Sequence, residues 1–174
     1  MKKTYLLLLT ALCMTGCNGK NKPDDKKIIV SASSVPHAEI LRNIQEDVKA
    51  EGYELIVREV SDYVTPNMML DSGGVDANYF QHEPYLNDFN GNNGTDLVSA
   101  FKVHFEPMGI YTGGKTDKKI IAIPNDTSNK ERAMKLLTDN YGEELSTYEI
   151  IEAEAQSLPA LLQDCTFACI NGNY

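Results

Sequence analysis

Lys27 to Val60 reads KIIVSASSVPHAEILRNIQEDVKAEGYELIVREV, and this stretch decides the fold class. Lys27 to Ala32 is a short apolar run bounded by serines, the pattern of a buried strand. Ser33 and Ser34 offer a helix N-cap, and Pro36 sits where a first-turn proline is tolerated. Ile40, Leu41, Ile44 and Val48 then recur at helical spacing until Gly52 ends the helix. Tyr53 to Val60 returns to a strand. Alternation of strand and helix predicts an α/β sheet protein with helices on both faces.

The same alternation continues outward. Pro66 opens a short helix carrying Met68, Met69 and Leu70, which Ser72-Gly73-Gly74 breaks, and Val75 to Phe80 is extended. Leu97 to Tyr111 reads as a long strand-like stretch interrupted at Pro107. Ile120 to Pro124 is a further buried strand, after which Asp126 or Thr127 caps a helix with Ala133, Met134 and Leu137 facing inward. Ser157 to Gln163 predicts a last short helix and Phe167 to Ile170 a last strand. No internal repeat is present. In sheets of this class ligands sit beyond the carboxyl ends of strands, where loops feed helix N-termini. Polar and aromatic groups gather at those ends: Ser33 to His37, Asp62-Tyr63, Asn78 to His82, and Asn125 to Thr127. A small-ligand cleft is the expectation.

The N-terminus carries a second message. Lys2 and Lys3 precede an apolar run from Tyr5 to Met14, about ten residues, too short to span a bilayer but suited to a signal-peptide core. The run ends Met14-Thr15-Gly16-Cys17, which looks like a lipoprotein signal in which Cys17 is acylated and becomes the new N-terminus. Stable anchoring needs more than one acyl chain, and such a cysteine carries two or three. Residues 1–16 are therefore the signal, and residues 17–27 the lipidated cysteine and a polar tether with no aliphatic side chain up to Lys27. The expected location is the cell membrane, lipid-anchored on its extracytoplasmic face. With 16 basic and 25 acidic residues the formal net charge is −9, and loss of Lys2 and Lys3 makes the remainder more acidic still. That excludes a nucleic-acid partner, which needs a basic face, and leaves the lipid to hold the membrane end alone. Of four cysteines, Cys13 leaves with the signal. Cys165 and Cys169 would stand about 6 Å apart on a helix, within disulfide range, but about 13 Å apart on a strand. The strand formers between and after them favour two buried free thiols.

At this point the motifs become specific. Val35-Pro36-His37-Ala38-Glu39-Ile40-Leu41, Asp62-Tyr63-Val64-Thr65-Pro66-Asn67 and Asp76 to Leu86 (DANYFQHEPYL) resemble the NlpA lipoprotein family. Val103 to Tyr111 (VHFEPMGIY), Ile121 to Asp126, Asn129 to Ala133, Glu152 to Gln156 and Ile170 to Tyr174 continue the resemblance in order across nearly all of residues 28–174. Members are methionine-binding lipoproteins that feed an ABC importer. The resemblance implies a periplasmic-binding-protein-like architecture of two lobes, residues 28–112 and 113–174, closing around an amino acid and handing it to a membrane permease. It implies no enzyme activity and no cofactor. Two departures are visible. The stretch between Leu137 and Glu152 is shorter than the family pattern, suggesting a reduced helix–strand portion in the second lobe. The family's return to the first lobe would also follow Tyr174. The expectation drawn from these departures is a shortened form that is less stable, self-associates and binds methionine weakly or not at all, with a non-transporting fragment of the family as the alternative to a working binding protein.

A free amino acid presents a carboxylate, an ammonium and a side chain. Arg132 is one of three arginines, and its planar fork suits a bidentate grip on a carboxylate. It lies early in the helix after Asn125-Asp126, where free N–H groups favour an anion. From residues alone it serves equally as a surface arginine paired with Glu131 or Asp126; the resemblance implies the ligand role. Tyr63, Tyr79, Phe80 and His82 could wall a slot for a thioether, since sulfur meets aromatic edges favourably, or could alternate between the faces of a strand. Asn171 and Asn173 could accept from the ammonium, although asparagine beside Gly172 is also turn chemistry. His37, His82 and His104 have no local metal-ligand spacing, so no metal site is expected. No nucleophile elbow or phosphate loop is present.

Overall fold

The structure, a computed structural model, describes residues 26–114 and 116–174. The signal sequence, Cys13, the lipidation candidate Cys17 and the tether up to Asp25 lie outside the described residues. Strand β1, Lys27–Ala32, pairs in parallel with β2, Glu54–Glu59, and with β3, Ala77–Tyr79, in a three-stranded sheet ordered β2-β1-β3. Helices α1 (Glu39–Asn43), α2 (Gln45–Ala50), α3 (Thr65–Asp71) and α4 (Glu83–Asn93) accompany it. A second sheet is ordered β4-β7-β5-β6, from β4 (Met108–Thr112), β5 (Ile120–Pro124), β6 (Glu149–Ala153) and β7 (Phe167–Asn171). In it β4 runs antiparallel to β7 while β5 is parallel to both its neighbours. Helices α5, Thr127–Tyr141, and α6, Leu158–Leu161, complete the fold.

Helices do cover both faces of the second sheet, and the period of two in β5 is the reason. Ile121 and Ile123 point one way, into a core with Ala133 and Leu137 of α5 and Cys169. Ala122 points the other way, against Leu158 of α6, Cys165, Ala168 and Ile170. Cys165 and Cys169 are thus buried free thiols in opposite cores, in keeping with their strand-rich surroundings. Burial pushes the Cys169 thiol up to about 12, so it is inert. Gly113 and Gly114 run tightly under the turn before β7. A Cβ on Gly113 would stand 2.0 Å from the Cys165 carbonyl oxygen and 2.2 Å from that of Leu162.

Several local expectations are corrected. Ser33 does not cap a helix: its hydroxyl bonds Nδ1 of His37 at 2.7 Å, Val35 is extended, and the regular helix starts only at Glu39. The Val35–Pro36 peptide is cis. The apolar series from Ile40 to Val48 is split at Ile44 (φ −100°, ψ 2°), whose side chain is exposed. Helix α4 runs against local preference, because its segment EPYLNDFNGNN is rich in residues that favour caps and turns. It is held by burial of Tyr85, Leu86 and Phe89 and ends at Gly94, which adopts φ +66°. Asn90 then closes the following loop, with Nδ2 donating to the Leu97 carbonyl and Oδ1 accepting from Leu97 N and Thr95 Oγ1. The expected strand over Leu97–Tyr111 forms only from Met108, and that strand hydrogen-bonds into the second sheet rather than the first. Residues 97–107 have no regular structure. In the stretch read as reduced, Glu149–Ala153 forms strand β6 on β5. No helix among the described residues is long and apolar enough to cross a membrane.

Candidate functional site

Helix α5 begins with an N-cap that does more than end a helix. Asp126 Oδ1 accepts from the backbone N of Asn129 at 2.9 Å, and both Asp126 oxygens receive the Asn129 side-chain amide at 3.0 and 3.1 Å. This fixes the direction of Asn129, which is buried, so its Oδ1 faces away from the cap. That oxygen takes two donors: Arg132 Nη1 at 2.9 Å and Asn171 Nδ2 at 3.1 Å. Arg132 also donates through Nη2 to the Glu106 carbonyl at 3.2 Å. Its hydrogen-bond acceptors are therefore neutral, and neither Glu131 nor Asp126 pairs with it among the described residues. A half-buried guanidinium held only by neutral oxygens keeps its charge available to an anion.

Asn171 ends β7, and Gly172 and Asn173 carry the chain across to the three-stranded sheet. The crossing is close, since a Cβ on Gly172 would stand 2.8 Å from Glu106 Cγ and 3.1 Å from the Pro107 carbonyl oxygen. Tyr63 donates its hydroxyl to Asn173 Oδ1 at 2.6 Å, and Tyr174 donates to the Ser61 carbonyl at 2.7 Å. The Tyr63 ring stands 5.8 Å from Phe80, 5.7 Å from Tyr85 and 5.6 Å from Tyr174. Phe80 is buried with Tyr85 and Phe89. Burial raises the Tyr63 hydroxyl far above its ordinary value, so it is a neutral donor at any physiological pH.

Three side-chain atoms here are buried with no hydrogen-bond partner: His82 Nε2, Asn171 Oδ1 and Asn173 Nδ2. An unpartnered buried polar atom costs about 1–3 kcal/mol, so its persistence at a seam between two sheets calls for an occupant. His82 is tied to the group electrostatically. Its pKa is lowered by burial first and by the Arg132 charge second, partly offset by Asp126 and Asp88, which keeps the ring neutral. Among the described residues one further unpartnered buried atom, Ser31 Oγ, lies in β1.

The structure thus brings together Tyr63, Phe80, Arg132 and Asn171, with His82 beside them. Tyr79 is not with them. It follows the alternation of β3 to the opposite side from Phe80, where its hydroxyl meets His104 Nδ1 at 2.6 Å and its ring abuts His37 at 4.6 Å. Sequence reading did not single out Asn129 as a site residue, although it stands three residues after a capping aspartate and opens one of the motifs that carry the resemblance. It also missed the ring of Tyr174. An open cleft of about 260 Å³ lies on the same seam, lined by Asp62, Tyr63, Val64, Tyr85, Asn125, Asp126, Glu154 and Ala155. Arg132, His82 and Asn171 are not in its wall. Three carboxylates in that lining disfavour an anionic group.

Comparison with known proteins gives the family and the fold. The family model described as NlpA lipoprotein matches residues 28–146. The methionine-binding lipoprotein MetQ of Bacillus subtilis is 41% identical over 150 residues, covering 83% of this chain and 52% of that protein. The chain therefore spans about half the length of that curated relative. The crystal structure of lipoprotein Tp32 from Treponema pallidum superposes with a TM-score of 0.78 at 32% identity, over 86% of this chain and 72% of the other. A nutrient binding protein from Burkholderia cenocepacia, solved bound to methionine, superposes with a TM-score of 0.76 at 33% identity, over 84% and 72% of the two chains.

Proposed function

We propose that this chain, which belongs to the NlpA lipoprotein family, is an extracytoplasmic substrate-binding lipoprotein that captures methionine or a close analogue for an ABC importer. The observation that carries the reading is the set of unpartnered buried atoms beside Arg132: His82 Nε2, Asn171 Oδ1 and Asn173 Nδ2. They complement a zwitterion. Arg132, whose guanidinium has donors to spare beyond the two bonds it makes, takes the carboxylate, and Asn173 Nδ2 adds a neutral donor. Asn171 Oδ1 accepts from the ammonium, its amide orientation set by Asn129. Neutral His82 supplies one further polar contact, and Phe80 with Tyr63 faces the side chain, where a thioether gains from aromatic edges. The names of the Bacillus and Burkholderia relatives support methionine as the ligand.

No covalent chemistry is involved. The bodies built on the two sheets act as lobes that close on the ligand, anchored through lipid on Cys17. The test is calorimetric titration of the chain with L-methionine. Arg132→Ala is expected to weaken binding at least 10-fold, since a hydrogen bond to a charged group contributes about 1.5–3 kcal/mol. A change of less than about threefold, roughly 0.7 kcal/mol, removes Arg132 as the carboxylate anchor. A parent chain that shows no saturable methionine binding rejects the ligand assignment itself.

A further inference from the structure

A second constellation lies outside the amino-acid site. His37, in the turn before α1, and His104 and Glu106, in the segment leading to β4, each offer one ligand atom, and the three atoms lie within 4.8 Å of one another. The histidines are remote in sequence, so no local spacing announces them; the fold alone makes them meet. Each imidazole is held from behind by a hydroxyl: Ser33 Oγ at 2.7 Å from His37 Nδ1, and Tyr79 Oη at 2.6 Å from His104 Nδ1. In the tautomer that donates from Nδ1 to each hydroxyl, both Nε2 lone pairs are free. This is the outer-shell arrangement by which metal-binding histidines are oriented. The rings face one another edge-on with centroids 5.0 Å apart.

The carboxylate completes the set. His104 Nε2 stands 3.6 Å from Glu106 Oε1, too long for a hydrogen bond. Ligands about 2.0–2.2 Å from a tetrahedral zinc ion stand about 3.3–3.6 Å from one another, which is the spacing found between His104 and Glu106, with all three atoms within 4.8 Å. His37 is buried and fixed, while His104 and Glu106 keep some exposure, so small rotations of these two bring the widest separation within reach. The geometry points to a divalent transition-metal site of His37, His104 and Glu106, with zinc as its ion and a fourth position open to solvent. Two imidazoles and one carboxylate suit zinc rather than calcium or magnesium, which take oxygen ligands. The ion would tie the turn before α1 to the connection between the two sheets, next to the Glu106 carbonyl that holds Arg132.

The site is tested on the whole chain without an affinity tag, made metal-free and titrated with Zn²⁺ against a chromophoric chelator, with Co²⁺ absorption as a second readout. One equivalent is expected to bind, with an intense visible cobalt band of low coordination number. His104→Gln and Glu106→Gln should each weaken Zn²⁺ binding at least 10-fold, and Tyr79→Phe, which removes only the hydroxyl behind His104, by about 10-fold to 100-fold. Should His104→Gln fail to fold by circular dichroism, Glu106→Gln decides the question, because that side chain is partly exposed. Absence of a saturable single equivalent, or binding unchanged in Glu106→Gln, overturns the site. Methionine titration of the same variants reads the amino-acid site separately, so loss of one does not register as loss of the other.

Discussion

Asn129 is the residue on which the site turns. Its amide donates to the Asp126 cap and its oxygen accepts from Arg132 and Asn171 together, so in the proposed site one side chain aligns the groups assigned to both ends of the amino acid. Asn129→Ala leaves two donors without an acceptor, one of them charged. The expected outcome is a 10-fold to 100-fold loss of methionine affinity with a smaller loss of thermal stability, measured by calorimetry and a melt on the same sample. Arg132 stood out in the sequence as a candidate because its fork suits a carboxylate, with the family resemblance favouring that role over a surface pair; Asn129 did not, because asparagine in a first helical turn reads as local capping. His82 gives a pH signature. Burial and Arg132 lower its pKa below the usual 6.5, so the unfolded chain takes up a proton at higher pH than the folded one. Its stabilising contribution is whole above that value and is lost as pH falls through the lowered one. The melting temperature should therefore fall on acidification from pH 7 to pH 5 more steeply in the parent than in His82→Gln. Equal slopes would remove His82 as a titrating element of the site.

At the scale of elements, strands were the easier reading. Lys27–Ala32 and Ile120–Pro124 form strands as expected, and the strand expected over Phe167–Ile170 runs one residue further, to Asn171. Helix α4 was hidden by its asparagines and Gly91, and β6 by its flanking glutamates, because tertiary pairing overrides local preference in both. The expectation for residues 97–107 erred the other way, since strand-forming side chains without a partner strand give no ladder. The second sheet is closed by the tight passage of Gly113 under the turn before β7, where Gly113 N donates to the Thr166 carbonyl at 2.9 Å. The neighbours a Cβ would strike are backbone oxygens, which cannot swing aside. Gly113→Ala should destabilise by about 1–3 kcal/mol, the ordinary range for overpacking, read as a lower denaturant midpoint at unchanged slope. Gly91→Ala, with nothing within 4 Å of its Cβ position, is the matched control, expected to be neutral or stabilising in mid-helix.

Across the whole molecule, hydrogen bonds between the bodies built on the two sheets, among the described residues, include Tyr63 to Asn173 and Tyr174 to Ser61. The segment joining them, residues 97–107, is also where apolar surface is most exposed. Val98, Phe101 and Phe105 are 84%, 79% and 88% accessible, and Phe101, Val103 and Phe105 stand at alternate positions, which share one face wherever such a segment pairs as a strand. Backbone groups without a ladder beside a row of large apolar side chains form a template for another strand. Self-association through this segment is the expected behaviour of the chain at tens of micromolar, and its acidic charge opposes this only weakly at physiological salt. Analytical ultracentrifugation of the parent should reveal species above the monomer mass. Phe101→Ser combined with Phe105→Ser should return the chain to monomer, and because both side chains are exposed the melt should be little changed. A parent that sediments as a monomer, or a double variant that associates equally, would place the cause elsewhere. Methionine enters the same experiment as a lever. A ligand that bridges the two sheets stabilises the folded chain by RT ln(1 + [L]/Kd), about 2.7 kcal/mol at a hundredfold excess over Kd. If association draws on loosened chains, methionine should reduce it; if it uses the exposed segment of the folded molecule, methionine should leave it unchanged. The segment's exposure in the folded chain favours the second result.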